Sequence, residues 1–333
     1  MSSISSLPQI ISLSPLRAVE GGRVTIRTVG LPLTADSRPA VRIGDTWVPA
    51  SFASTREVKF VIPTGLPGGR MPVRLEEAPG GTLFLDVGKT VATGLHQVDS
   101  PAFDREGNLY VTYSGSRGQQ AGVSVYRVRR DGSREVFITT ITNPTSLAFD
   151  PQGRLHVSSR YDGTVTRIEA DGGREVVATE LGVACGITFA PDGTMFIGDR
   201  SGTVFRLGLS GRVTPFVSLP PSVAAFHLAV GADGTLYATA PTLATRDVIY
   251  RIDRQGQIDT HAEGFGRPQG LAVDANGDLY VAEAMAGSSG IYRIRRDAPP
   301  ELLVSGPAII GLAFDPLGGF VVATADTAYR FDS

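Results

Sequence analysis

The chain has 333 residues, a formal net charge of −2, 42% hydrophobic residues, 40 glycines and 22 prolines. That length allows two domains with real cores, and the charge gives no basis for binding nucleic acid or an anionic membrane. No apolar run approaches the ~18–20 residues that span a bilayer, and the lone Cys185 excludes an internal disulfide or a Cys-x-x-Cys site.

In chain order, MSSISSLPQI has neither a basic n-region nor an apolar h-region. It predicts a cytoplasmic chain, the alternative being a secreted or periplasmic protein in its mature form. Residues 1–7 are expected to be disordered. Residues 8–82 then alternate apolar and polar positions between glycine- and proline-rich turns, as in PQIISLSPLRAVEGGRVTIRTVG and EVKFVIPTGLPGGRMPVRLEE. Such patterning predicts a small β-sandwich. Leu13-Ser14-Pro15, the Gly21-Gly22 turn, the Val41-Arg42-Ile43-Gly44 strand and the Ile62-Pro63 step resemble an IPT/TIG domain, an immunoglobulin-like fold. The resemblance implies a spacer or protein-contact module. Only a short PGG at 79–81 follows, so the sandwich is expected to pack close to what comes next.

From residue 83 to 333 one unit recurs: SPAFDREGNLYVTY, TSLAFDPQGRLHVSS, GITFAPDGTMFIGD, HLAVGADGTLYATA, GLAVDANGDLYVAE and GLAFDPLGGFVVAT. The anchors Phe103, Phe149, Phe189, Val230, Val273 and Phe314 lie 40 to 46 residues apart. Each copy carries four short strand signals bounded by Gly, Asp and Pro turns. A four-stranded unit at this period is the signature of a β-propeller blade, and six copies predict six blades. The last copy lacks its fourth strand, which residues near 87–93 are expected to supply, closing the ring. The fold class is therefore all-β, an Ig-like sandwich followed by a six-bladed propeller closed by an N-terminal strand.

PQGLAVDANGDLYVAE and its partners resemble NHL repeats, and the blade count and turns are similar to the SMP-30/gluconolactonase superfamily. The first-to-second and third-to-fourth strand turns are short. The second-to-third loops vary and are long at 113–122, 240–247 and 283–290. Variable loops on a rigid scaffold carry function. That face is expected to hold a protein or small-molecule ligand, with Tyr113 and Tyr161 as contact aromatics or packing residues.

In the SMP-30-like family a divalent metal such as calcium sits at the channel mouth, on ligands four residues before each anchor. The family's Glu-Ser-Pro is matched here by Asp99-Ser100-Pro101, which makes Asp99 the metal-ligand candidate. The other channel-mouth positions are Thr145, Cys185, Phe226, Gln269 and Ile310. One carboxylate and one amide are a poor match to the six to eight oxygens calcium takes. Asp199 and Glu283 end second strands on the same face and flank the copy carrying His227, a candidate acid–base or metal set. Each residue alone also reads as structural: the acids as loop caps, His227 and His156 as packing, Cys185 as an apolar filler. His96 and His261 fall near outer strands or their loops. DANGD at 274–278 lacks the glycine and the twelfth-position acid of a calcium loop and reads as a hairpin turn. The sequence therefore predicts a binding or scaffolding protein, the alternative being a metal-dependent lactonase with an atypical site.

Overall fold

A computed structural model describes residues 8–33, 39–78, 81–169, 171–208, 210–284 and 289–332. Residues 1–7, expected to be disordered, and 285–288 of the last long loop lie outside the described residues. All described elements are strands.

The N-terminal sandwich pairs Gln9–Ser14, Arg23–Val29, Glu57–Val61 and Phe52–Ala53 in one sheet. The other holds Arg17–Ala18, Leu83–Val87, Gly69–Leu75, Ala40–Ile43 and Thr46–Pro49. Alternate side chains such as Val24, Ile26, Val58, Phe60, Val41, Ile43, Val73 and Leu75 fill the space between the sheets. The sandwich ends at Val87 rather than at residue 82, because Leu83, Leu85 and Val87 alternate onto the same core.

The remaining strands form six four-stranded units: blade one (102–138), two (144–178), three (184–218), four (227–265), five (268–305) and six (309–331). Blade six is completed by Lys89–Ala92, which pairs antiparallel with Ala328–Phe331, as the sequence predicts. The first strands touch one another in succession, and that of blade six touches that of blade one, so the ring closes. Within the ring the apolar clusters each span two neighbouring blades; one joins Val321, Ala328 and Ala92 of blade six to Leu109, Val111 and Val128 of blade one. Blade stability therefore lies in interfaces between blades, and closing the ring leaves no blade with a bare face.

The short turns follow from their sequences. In DPQG, Gly153 takes φ of 84°, and Asp150 Oδ1 accepts the N–H groups of Gln152 and Arg154. DANGD repeats this pattern with Asp274 accepting from Asn276 and Asp278, which makes it a hairpin turn.

The sandwich is stitched to the ring. The two-residue strand Arg17–Ala18 runs parallel to both Leu83–Val87 and Glu301–Ser305, merging blade five and half of the sandwich into one nine-stranded sheet. Val19 N–H donates to Ser305 O at 2.9 Å, and Arg23 N–H to Ser305 Oγ at 2.8 Å. The Val19 side chain, fully buried, sits among Tyr280, Val304, Ile309, Tyr329 and Phe331 of blades five and six. Burying a valine there contributes about 2 kcal/mol. The close packing expected after PGG takes the form of a continuous sheet.

Candidate functional site

Inner strands set the geometry at the channel mouth. In blades two, three, five and six an extra residue bulges the inner strand, between Pro144 and Leu147, Ala184 and Ile187, Pro268 and Leu271, and Ile309 and Gly311. A bulge re-aims the side chains around it. Blade four has none: His227 pairs with Thr239 and the register runs unbroken. The first strand of blade one begins only at Ala102, so the preceding segment leaves the sheet. Ser100 instead packs against Gly270 and Gly311, where a side chain would meet its backbone or hydroxyl.

This segment brings Asp99 to His227. Asp99 Oδ1 accepts from His227 Nδ1 at 2.6 Å, and the residues are 6% and 1% exposed. Asp99 Oδ1 also accepts the Ser100 N–H. His227 Nε2 is buried without a hydrogen-bond partner. The pair joins the segment before blade one to the inner strand of blade four.

A cavity of about 310 Å³ opens at this mouth, lined by Arg160, Arg200 and Arg267 together with Gln97, Cys185, Gln269 and Ile310. The rest of its wall is apolar, from Val98, Val183 and the Val223–Ala225 segment. A second cavity of about 580 Å³ lies under the long loop of blade four and shares Val223 and Arg267 with the first. Leu243 at the tip of that loop is 90% exposed. Both cavities lie on the variable-loop face.

The arginines arrive by equivalent routes. Arg160 and Arg200 each follow the last residue of a second strand, and their N–H groups donate to Asn143 O and Val183 O. Buried Asn143 holds φ of 47°. Its amide donates to Ser114 O and Ser116 O and accepts from Gly118 N–H, pinning the long loop of blade one beside Arg160. The Arg160 pKa is lowered, first by burial and further by the charges of Arg117 and Arg200. No carboxylate lies within ion-pair distance of Arg160 or Arg200 among the described residues. Burial pushes the Cys185 thiol up to about 11, and its Sγ donates to Val183 O. It is therefore an uncharged wall of the cavity at neutral pH and not an activated nucleophile.

Of the six predicted channel-mouth residues, Cys185, Gln269 and Ile310 line the cavity. Thr145 is buried beside it, with its hydroxyl donating to Asn143 O. Phe226 does not reach the mouth. It is fully buried against Gly198 between blades three and four, since the unbulged register of blade four turns it into the core.

Asp199 and Glu283 prove to be loop caps. Asp199 accepts the Val183 N–H and the Ser201 hydroxyl, while Glu283 accepts the N–H groups of Gly266 and Arg267. Neither is paired with His227. No group of three or more His, Cys, Asp or Glu among the described residues is placed to hold a metal. The mouth itself offers Asp99, whose Oδ1 is committed to His227, the amides of Gln97 and Gln269, three arginines and apolar groups, and this set does not fit calcium.

Tyr161 is exposed, whereas Tyr113 is half-buried against His96 and Tyr126. His156 packs on Phe189 of the next blade, and His261 on Tyr237. The three arginines escape a search for acids, histidines and cysteines. The signal that would find Arg160 and Arg200 is the shared register of SSRYDGTV and GDRSGTV, with arginine at the same place in consecutive blades.

Residues 8–86 match the family model of the IPT/TIG domain. No curated protein matches the chain in sequence. Among solved structures, a gluconolactonase from Xanthomonas campestris is 18% identical with a TM-score of 0.61, over 73% of this chain and 88% of that one. An auxiliary nutrient binding protein from Bacteroides ovatus is 14% identical with a TM-score of 0.54, over 98% of both chains. Virginiamycin B lyase from Staphylococcus aureus is 15% identical with a TM-score of 0.53, over 94% of this chain and all of that one. At these identities the likeness concerns the fold: a gluconolactonase-like propeller, which hosts several unrelated chemistries.

Proposed function

We propose that this chain is a binding protein that holds a small ligand in the cavity at the channel mouth. Six blades of NHL type form the rigid ring, and the sandwich is fixed to it as one body. The observation that supports this most is the cavity itself. Polar side chains from several blades converge over an apolar wall, and a second cavity beside it lies under the blade-four loop. Ligand sites are concave, mostly apolar and furnished with a few convergent polar groups. The full-length likeness to a nutrient binding protein agrees with this reading.

Lactone hydrolysis is the second reading, favoured by the likeness to gluconolactonases. The commitment of Asp99 to His227 weighs against it.

A small-molecule screen by thermal shift, run on wild type and Ala224→Trp, tests the proposal. A ligand that binds only the folded state raises Tm. Saturable shifts in wild type that vanish when tryptophan fills the cavity are expected. Hits that bind the tryptophan variant equally well would contradict it. Hydrolysis of a sugar lactone that is lost in Asp99→Ala would establish the second reading instead.

A further inference from the structure

We infer that the ligand is a small organic anion, whose carboxylate or phosphate groups are held by Arg160, Arg200 and Arg267 at the channel mouth. This rests on the binding reading above and names the chemistry of the ligand.

Three guanidinium-bearing residues from blades two and three and from the entrance of blade five line one cavity of about 310 Å³. No aspartate or glutamate lines it. On the outer strands several arginines sit on acids: Arg127 and Arg129 on Glu135, Arg167 on Glu169 and Glu175, Arg293 and Arg295 on Glu301. Arg160 and Arg200 have no such acid within ion-pair distance among the described residues. The nearby acids are already engaged, Asp99 with His227, Asp199 with Val183 N–H and Ser201, and Glu283 with the Gly266 and Arg267 N–H groups.

Arg160 carries the argument furthest. Its Nε is buried and has no hydrogen-bond partner. A buried donor left unmade is costly, and Arg160 also stands within the repulsive field of Arg117 and Arg200. An anion entering the mouth would supply the acceptor and relieve that repulsion. Guanidinium groups suit the task, because their fork of donors matches carboxylate and phosphate geometry. Cavity size limits the ligand to a small molecule, and Val98, Val183, Val223 and Ile310 leave room for an apolar body beside the charged head. The overall charge of −2 makes this a local arrangement of cations and not a general polyanion surface.

The test is calorimetric titration of the full chain with citrate and with inorganic phosphate, at ionic strength held constant with sodium chloride. Arg160→Gln and Arg200→Gln are compared with Arg174→Gln, an exposed outer-strand arginine away from the mouth. Saturable binding of at least one probe is expected, weakened about tenfold or more by each mouth substitution and unchanged in Arg174→Gln. The tighter probe identifies the head group as carboxylate or phosphate. Binding that survives both mouth substitutions would overturn the inference, as would heats no different from those of sodium chloride. If neutral compounds bind and are blocked by Ala224→Trp while both anions fail, the anion inference falls and the binding reading stands. If neither class binds, both fall.

Discussion

Two places in this molecule join segments distant in the chain, and they are built in opposite ways. At the seam between sandwich and blade five, backbone hydrogen bonds and apolar side chains do the joining: Arg17–Ala18 fills a gap between two strands and Val19 enters the core of two blades. At the channel mouth, charged and polar groups converge from several blades around an open cavity. The seam's backbone groups are paired, and its Arg17 Nε, without a hydrogen-bond partner, lies 3.8 Å from Asp86 Oδ2. The mouth leaves an Arg160 Nε unpartnered, and the His227 Nε2 behind it as well. Sites of the first kind stabilise the fold; those of the second kind, on the binding reading proposed above, would be completed by a ligand.

Breaking the seam should cost most. Val19→Asp places a charge among Tyr280, Tyr329 and Phe331 and is expected to cost about 4 kcal/mol in chemical denaturation. Sandwich and propeller should then separate into two transitions. A loss near zero would show that the seam is incidental.

Acid should come next. His156 is buried against Phe189, and burial lowers its pKa to about 4. The unfolded chain takes up that proton at its ordinary pKa, so the unfolded state binds more protons between the two values. Stability therefore falls as pH drops from about 6.5 to about 4, by about 3 kcal/mol in the limit. His261, lowered by burial too, acts in the same direction. His156→Phe should flatten the profile over this window; an unchanged profile would contradict the assignment.

Asp99→Ala should cost about 1–3 kcal/mol, because the buried His227 Nδ1 loses its acceptor. Denaturation checks this, and an unchanged midpoint would show that the pair does not brace the ring. The smallest effect on stability is expected at the mouth. Arg160→Gln and Arg200→Gln should each change it by less than about 0.5 kcal/mol while weakening ligand binding. A large loss of stability would make these arginines structural.

The contrast also explains what the sequence makes legible. Blades, turns and the closing strand are visible because a 40–46-residue period repeats the same apolar alternation. The sandwich shows through its own alternation and resemblance. The two-residue strand Arg17–Ala18 is too short to carry a period, and one of its partners comes from near the end of the chain. Phe226 was expected at the mouth because alignment counts positions and cannot see that blade four lacks a bulge. Asp199 and Glu283 attract notice as acids, yet the backbone N–H groups they satisfy appear only in the fold. Arg160 and Arg200 read as ordinary turn residues until the ring brings them to one cavity.

The most direct test is a crystal structure of the full chain soaked with citrate. The account predicts citrate density in the mouth cavity within hydrogen-bond distance of Arg160 and Arg200. An empty mouth with citrate bound elsewhere would contradict it.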